Sequence, residues 1–381
     1  MLFLLYSAFF LALFYLHFAL AHRAWLTIRG KRSSELDMSY VRLEDYFGQS
    51  FRRKLKHWLT TLPAAANSTA NLRVYHHGQE RIFVAPSVQY PGGRVEKEIL
   101  VAEGTFACGN NCDFRREVMV HGDCTIGEGT SLQAIAADGA LFLGEAVTVR
   151  RWVDAAGKLT IGTDTAISSR ATSRTAIEFL PGAYAQSLFA PEIFTEGRND
   201  ESPELSVKTG PVLQIPHRPD DSPKAQHGFD PQKLFSMGGG TYAYEGDLDI
   251  TAPLHLRAPL VVRGHFSCGK ESLLEADVKA HRNITIGPAS VVKGNLVCDG
   301  DMLLKPDVYF QSILQAGGQM RLSFGVRGLR EKLPVAAHAT GALTLESNIV
   351  IKGKVSSAHR VIAVSTPLAW LQPNSARSIT P

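Results

Sequence analysis

Gly104-Thr-Phe-Ala-Cys-Gly109 sets a spacing that the rest of the chain repeats. The frame returns as Gly122-Asp-Cys-Thr-Ile-Gly127, Gly139-Ala-Leu-Phe-Leu-Gly144 and Gly157-Lys-Leu-Thr-Ile-Gly162, at steps of 18, 17 and 18 residues. One more step of 18 reaches Thr175, where Ile177 and Phe179 keep the apolar alternation after the glycine is lost. A second array starts at Gly246 and continues at Gly264, Arg282, Gly300 and Gly318. After one step of 23 it resumes at Gly341 and ends near His359.

In every copy the second and fourth residues after the frame position are apolar, the two-residue alternation of a strand with one buried face. A helix would need apolar residues three and four apart, and four residues between glycines are too few for one. Eighteen residues divided into three short strands and three bends is the layout of a β-solenoid. Glycine at the bends is expected to serve positive φ. Gly104, Phe106, Cys108, Gly109, His121, Thr125, Ile126 and Gly127 match Gly264, Phe266, Cys268, Gly269, His281, Thr285, Ile286 and Gly287 at an offset of 160. The sequence therefore predicts a mainly β chain with two β-helix modules, over residues 86–185 and 241–366, joined by a Pro-rich linker or loop over 186–240.

The net charge is +4, yet residues 1–60 hold nine Lys/Arg against four Asp/Glu, so the remainder sums to −1. The repeats thus lack the basic surface of a nucleic-acid groove. There are five cysteines, and Cys108, Cys124 and Cys268 fall at inward positions of the frame. They are expected as buried free thiols, since no Cys/His pair of zinc-knuckle spacing answers Cys108 and Cys112. Reduced thiols fit a cytoplasmic module.

Residues 2–21 contain no Asp, Glu, Lys or Arg, and about 20 apolar residues cross a bilayer core. The basic residues follow this run (Arg23, Arg29, Lys31, Arg32). The expectation is an uncleaved, single-pass inner-membrane anchor over 1–21 with the C-terminal side in the cytoplasm. A cleaved signal ending at Ala19-Leu-Ala21 is the rival. Within the basic segment 22–63, Leu43, Tyr46, Phe47, Phe51, Leu55, Trp58, Leu59 and Leu62 recur at three- and four-residue steps and Pro63 closes the run. This predicts an amphipathic helix. Arg52, Arg53, Lys54, Lys56 and Trp58 suit a helix lying on an anionic membrane surface. The competing expectation is that it caps an end of the solenoid. Residues 64–85 read as a linker and lead-in strand, and 367–381 as a tail.

No local signature of a nucleophile elbow, phosphate loop or zinc protease is present, and no nucleotide, metal or other cofactor is expected. His121 and His281, at one equivalent position of the two modules, are the candidates for a general base in acyl transfer. Asp123, Asp138, Asp154 and Asp164 occur in successive coils, as the acids of a glycan-cleaving β-helix do, but at different frame positions. An acyltransferase or glycan-active enzyme is therefore the alternative reading.

The 18-residue coil and frames such as Val120-His-Gly-Asp-Cys-Thr-Ile-Gly127 and Val292-Lys-Gly-Asn-Leu-Val297 resemble the bactofilins, bacterial polymer-forming cytoskeletal proteins. The resemblance covers about residues 95–180 and 245–365. It implies a right-handed parallel β-helix with an apolar interior, no nucleotide or metal, and end-to-end assembly through terminal coils. A rod whose coil edges must be capped or joined, fixed to the inner membrane by an apolar helix, is expected to be a structural scaffold whose outer faces dock cell-envelope biosynthesis proteins. The left-handed hexapeptide-repeat acyltransferases also have 18-residue turns, but they need an aliphatic residue every sixth position, and steps of six from Ile126 give Leu132, Asp138 and Gly144. The chain departs from the usual bactofilin in its second module, its apparent membrane span and its proline-rich insert. Two modules in one chain are expected either to self-associate or to stack on each other.

Overall fold

Leu141-Phe142-Leu143 and Leu159-Thr160-Ile161 lie 18 residues apart, and their equivalent residues lie opposite one another in a parallel pair. The same step pairs Thr148 with Ala166 and Val153 with Ala171, so each coil contributes three short strands to three sides of a tube. This comes from a computed structural model that describes residues 44–65, 69, 71–198, 213–215, 228–331 and 333–365. The described residues form 37 strands in one sheet, a β-solenoid of about 14 turns with about 18 residues per coil. The expected anchor over 1–21 and the basic segment up to residue 43 lie outside the described residues. So do 199–212, 216–227 and the tail from 366. Among the described residues no helix is long and apolar enough to cross a membrane.

The alternation works as the sequence implies. Phe106, Cys124, Leu141, Leu159 and Ile177 stack inward in register and are buried, as are Phe266, Ile284, Met302, Met320 and Leu343. They belong to one core that runs through both arrays without interruption. Rings gather at both far ends. Phe106 and Phe114 pack edge to face at 5.6 Å under Tyr90, and Phe229 lies 5.9 Å from Tyr244.

The frame glycines serve a different purpose from the one expected. Gly104, Gly122, Gly139, Gly157, Gly264, Gly300, Gly318 and Gly341 are absent from the positive-φ positions, and Gly246 alone of the frame adopts one. What they provide is close approach. Gly157 N donates to Gly139 O at 2.9 Å, and a Cβ on Gly157 would stand 2.7 Å from the carbonyl carbon of Gly139. Positive φ belongs to another corner, occupied in successive coils by Asn111, Gly129, Ala146, Asp164 and Gly182, and again by Glu271, Ala289, Asp307, Gly325 and Asn348.

The arrays extend further than the glycines do. Each begins with an antiparallel hairpin: Arg73–His77 with Glu80–Ala85, and Leu234–Gly238 with Thr241–Tyr244. Residues 186–195, assigned from sequence to the connecting segment, complete the strand Tyr184–Thr195. That strand pairs antiparallel with Val350–Ala363, the last strand of the second array. Among the described residues all other coil-to-coil pairing is parallel, so the winding direction reverses at this seam. The strand Leu213–Ile215, from the connecting segment, pairs parallel with Leu254–Leu256.

Candidate functional site

The helix α1 (Tyr46–Thr61) forms where the apolar stripe predicts it, and its last turn is closed by Thr60 and Thr61 hydroxyls donating to the carbonyls of Lys56 and His57 at 3.0 and 2.8 Å. Its apolar side packs on a lateral face of the solenoid, not on an end. Val84, Val101, Met119 and Ala136 succeed one another in register on the outside of the tube. With Ile82, Ile99, Ala134 and Trp152 they make a second apolar cluster that buries Leu55 and Trp58. Gly48 allows the helix to approach, since a Cβ there would lie 2.6 Å from Oδ2 of Asp154.

This docking redistributes the residues assigned to a membrane surface. Trp58 is buried at 6% exposure and stacks on His77 at 4.2 Å, with Lys54 Nζ 4.4 Å from the centre of its ring. Arg52 is turned onto the solenoid, where it donates to Asp138 Oδ1 at 2.7 Å, to Ala137 O at 2.9 Å and to Asp154. Arg53 and Lys56 remain exposed. The physical reason is continuity of apolar surface: a helix stripe that finds Met119 and Ala136 beside it buries itself there. The sequence carries the signal in unbroken apolar runs such as Ile99-Leu100-Val101-Ala102 and Ala134-Ile135-Ala136-Ala137, which mark strands buried on both faces. In the second array the matching outer positions are Ala243, Val261, Lys279, Val297, Gln315 and His338; of these Ala243 is fully buried, and no described helix covers the row.

The two candidate histidines occupy equivalent exposed corners. His121 Nδ1 lies 2.8 Å from Asp138 Oδ2 and His281 Nδ1 lies 3.1 Å from Asp299 Oδ2. Among the described residues neither ring bonds a hydroxyl or thiol that would act as a nucleophile. The two corners differ in that Arg52 joins the first. Burial pushes the Asp138 carboxyl up, but the bonds and charges of His121 and Arg52 outweigh it and hold the group below its ordinary range. A carboxyl depressed in the fold contributes stability above its unfolded value, and that contribution is lost as pH falls through the folded one. Below the ordinary Asp value of about 4, amide protection in Tyr46–Thr61, taken relative to the intrinsic exchange rate at each pH, is therefore expected to fall, and Asp138→Asn is expected to lower that protection at neutral pH.

The remaining carboxylates do not converge. Asp154 is buried between Arg52 and the Thr172 hydroxyl, which donates to it at 2.7 Å. Asp123 accepts the Ala140 amide of the next coil at 2.8 Å, as Asp247 accepts His265 and Asp301 accepts Gln319. Asp164 holds a positive-φ corner. All five cysteines are free and buried, and burial pushes the thiols of Cys108 and Cys298 up to about 11, which removes the thiolate that reactivity requires.

Backbone edges are the other candidate surface. At the seam Leu188 lies opposite Val355 and Ser187 opposite Ser356, and both inward side chains join the common core. At the far end of the first array, Ala65 N donates to Val74 O at 2.7 Å, so part of the outer edge of Arg73–His77 is occupied. At the far end of the second, Phe235 and Met237 on Leu234–Gly238 are 41% and 60% exposed. No family model, no curated protein and no solved structure matches the chain.

Proposed function

We propose that the chain is a membrane-anchored scaffold of the bactofilin kind, whose coil edges join copies or modules and whose lateral faces organise cell-envelope machinery. In this reading residues 1–21 anchor it in the inner membrane and two duplicated, right-handed modules stand in the cytoplasm. The observation that carries the reading is the seam: equivalent terminal strands, Tyr184–Thr195 and Val350–Ala363, satisfy each other's backbone groups across a continuous core. A coil edge that is not capped is a template for another strand. The exposed Phe235 and Met237 on Leu234–Gly238 give this end an apolar surface to bury.

Two measurements test this. The full chain should sediment with membranes and lose that property on deletion of residues 1–21, with residues 72–365 protected from external protease in spheroplasts. Purified without nucleotide, it should show concentration-dependent association that Met237→Lys weakens at least tenfold. A chain accessible from the periplasm, or monomeric at every concentration, would end the scaffold reading.

A further inference from the structure

The fit between α1 and the solenoid is close around Trp58 and open beside Leu59. There a cavity of about 420 Å³ has Leu59 beside a floor of Leu55 and Met119, which are only 2% and 1% exposed, with Arg52, Lys56, Thr60, His121 and Asp138 around its mouth. This is within the ~300–1,000 Å³ span of small-molecule sites, which are apolar with a few placed polar groups. Apolar walls give water few partners, so an apolar occupant gains by displacing it.

The charges at the mouth restrict what that occupant is. Both Asp138 oxygens are engaged, one by Arg52 and one by His121. Arg52 is itself engaged by Asp138, Asp154 and Ala137 O. Among the described residues Lys56 is exposed and has no ion pair, and the second ring nitrogen of His121 bonds no group. The rim therefore offers one ammonium and one imidazole held by a carboxylate, beside an apolar slot. The second array supplies an internal comparison: His281 and Asp299 repeat the pair, but Lys279 stands at the position of Met119 and no described helix forms a wall.

We propose that this cavity takes the alkyl chain of a single-chain amphiphile, its anionic head held by Lys56 and the second ring nitrogen of His121. A fatty carboxylate and an alkyl phosphate share that chemistry.

The test is photolabelling of the full chain in membranes with a diazirine-bearing dodecanoate, followed by mapping of the labelled peptides. Label is expected in 55–60 and around Met119, and absent around His281. Excess dodecanoate or dodecyl phosphate should suppress it, the stronger competitor identifying the head group, while dodecyltrimethylammonium and acetate should not. Met119→Trp, which fills the slot, and Lys56→Glu, an exposed change that leaves packing intact, should each reduce labelling at least tenfold. Label confined to residues 1–21, equal competition by the cationic amphiphile, or labelling unchanged in Lys56→Glu would overturn the proposal.

Discussion

A chain carrying Gly157→Val is expected to lose about 3 kcal/mol of stability or more, at the upper end of what overpacking costs. The added Cβ would stand 2.7 Å from Ala140 N and from the Gly139 carbonyl carbon, and 2.8 Å from Gly139 O. All three are backbone atoms of the preceding coil, so no side chain is available to swing aside. Relief requires opening the hydrogen bond from Gly157 N to Gly139 O, with consequences for the coils on either side. Gly246→Ala is the contrast: its φ is +87° but nothing lies within 4 Å of a Cβ, so only backbone strain of about 1–2 kcal/mol is incurred. Denaturant unfolding of both variants distinguishes close approach from conformational freedom. If the two losses were equal, the explanation given for the glycine column would be wrong.

Arg52→Ala should cost about 3 kcal/mol, at the lower end for breaking a buried ion pair. Asp154 is only 4% exposed, and without Arg52 its carboxylate retains the Thr172 hydroxyl alone while remaining out of water. Because the orphaned charge is what costs, adding Asp154→Asn to Arg52→Ala should recover stability. A double-mutant cycle should report coupling of about 2 kcal/mol. The readout is amide exchange in Tyr46–Thr61 beside global unfolding, since the helix should loosen before the solenoid does. Strictly additive losses would mean that the guanidinium serves only to pack.

Much of this architecture is legible in the residues themselves. Glycine-flanked alternation gives the coil length. Amphipathic spacing gives the helix. The partner of the helix is harder to read, because basic residues behind an apolar run point to a membrane as readily as to a protein. Deciding between them requires noticing that Val101, Met119 and Ala136 make an unbroken apolar row of outward positions in one array, where the other interrupts it with Lys279 at the position of Met119. The seam is illegible for a different reason: repeat spacing specifies how a coil stacks on the next one, and it carries no information on which edge meets which. Ser187 and Ser356 fall on one rung only because the chain returns from the connecting segment to wind toward the first array. His121 and His281 were visible as a repeated pair, but what distinguishes them, the helix wall and Lys56, lies more than 60 residues away in sequence.

Two windings meet edge to edge, in opposite directions, within one chain. The most direct test of this meeting is a cysteine pair at Ser187→Cys and Ser356→Cys, which face each other across the seam on half-buried positions. Residues opposite each other on antiparallel strands have Cα atoms about 4.5–5.5 Å apart, within the span of a disulfide, and the five native thiols are buried and free. Mild oxidation is predicted to give a near-complete disulfide inside the monomer, identified by peptide mapping, with none between Ser187→Cys and Ser236→Cys at the far end. Failure to cross-link 187 to 356, or cross-links formed only between chains, would contradict the seam and the scaffold reading that rests on it.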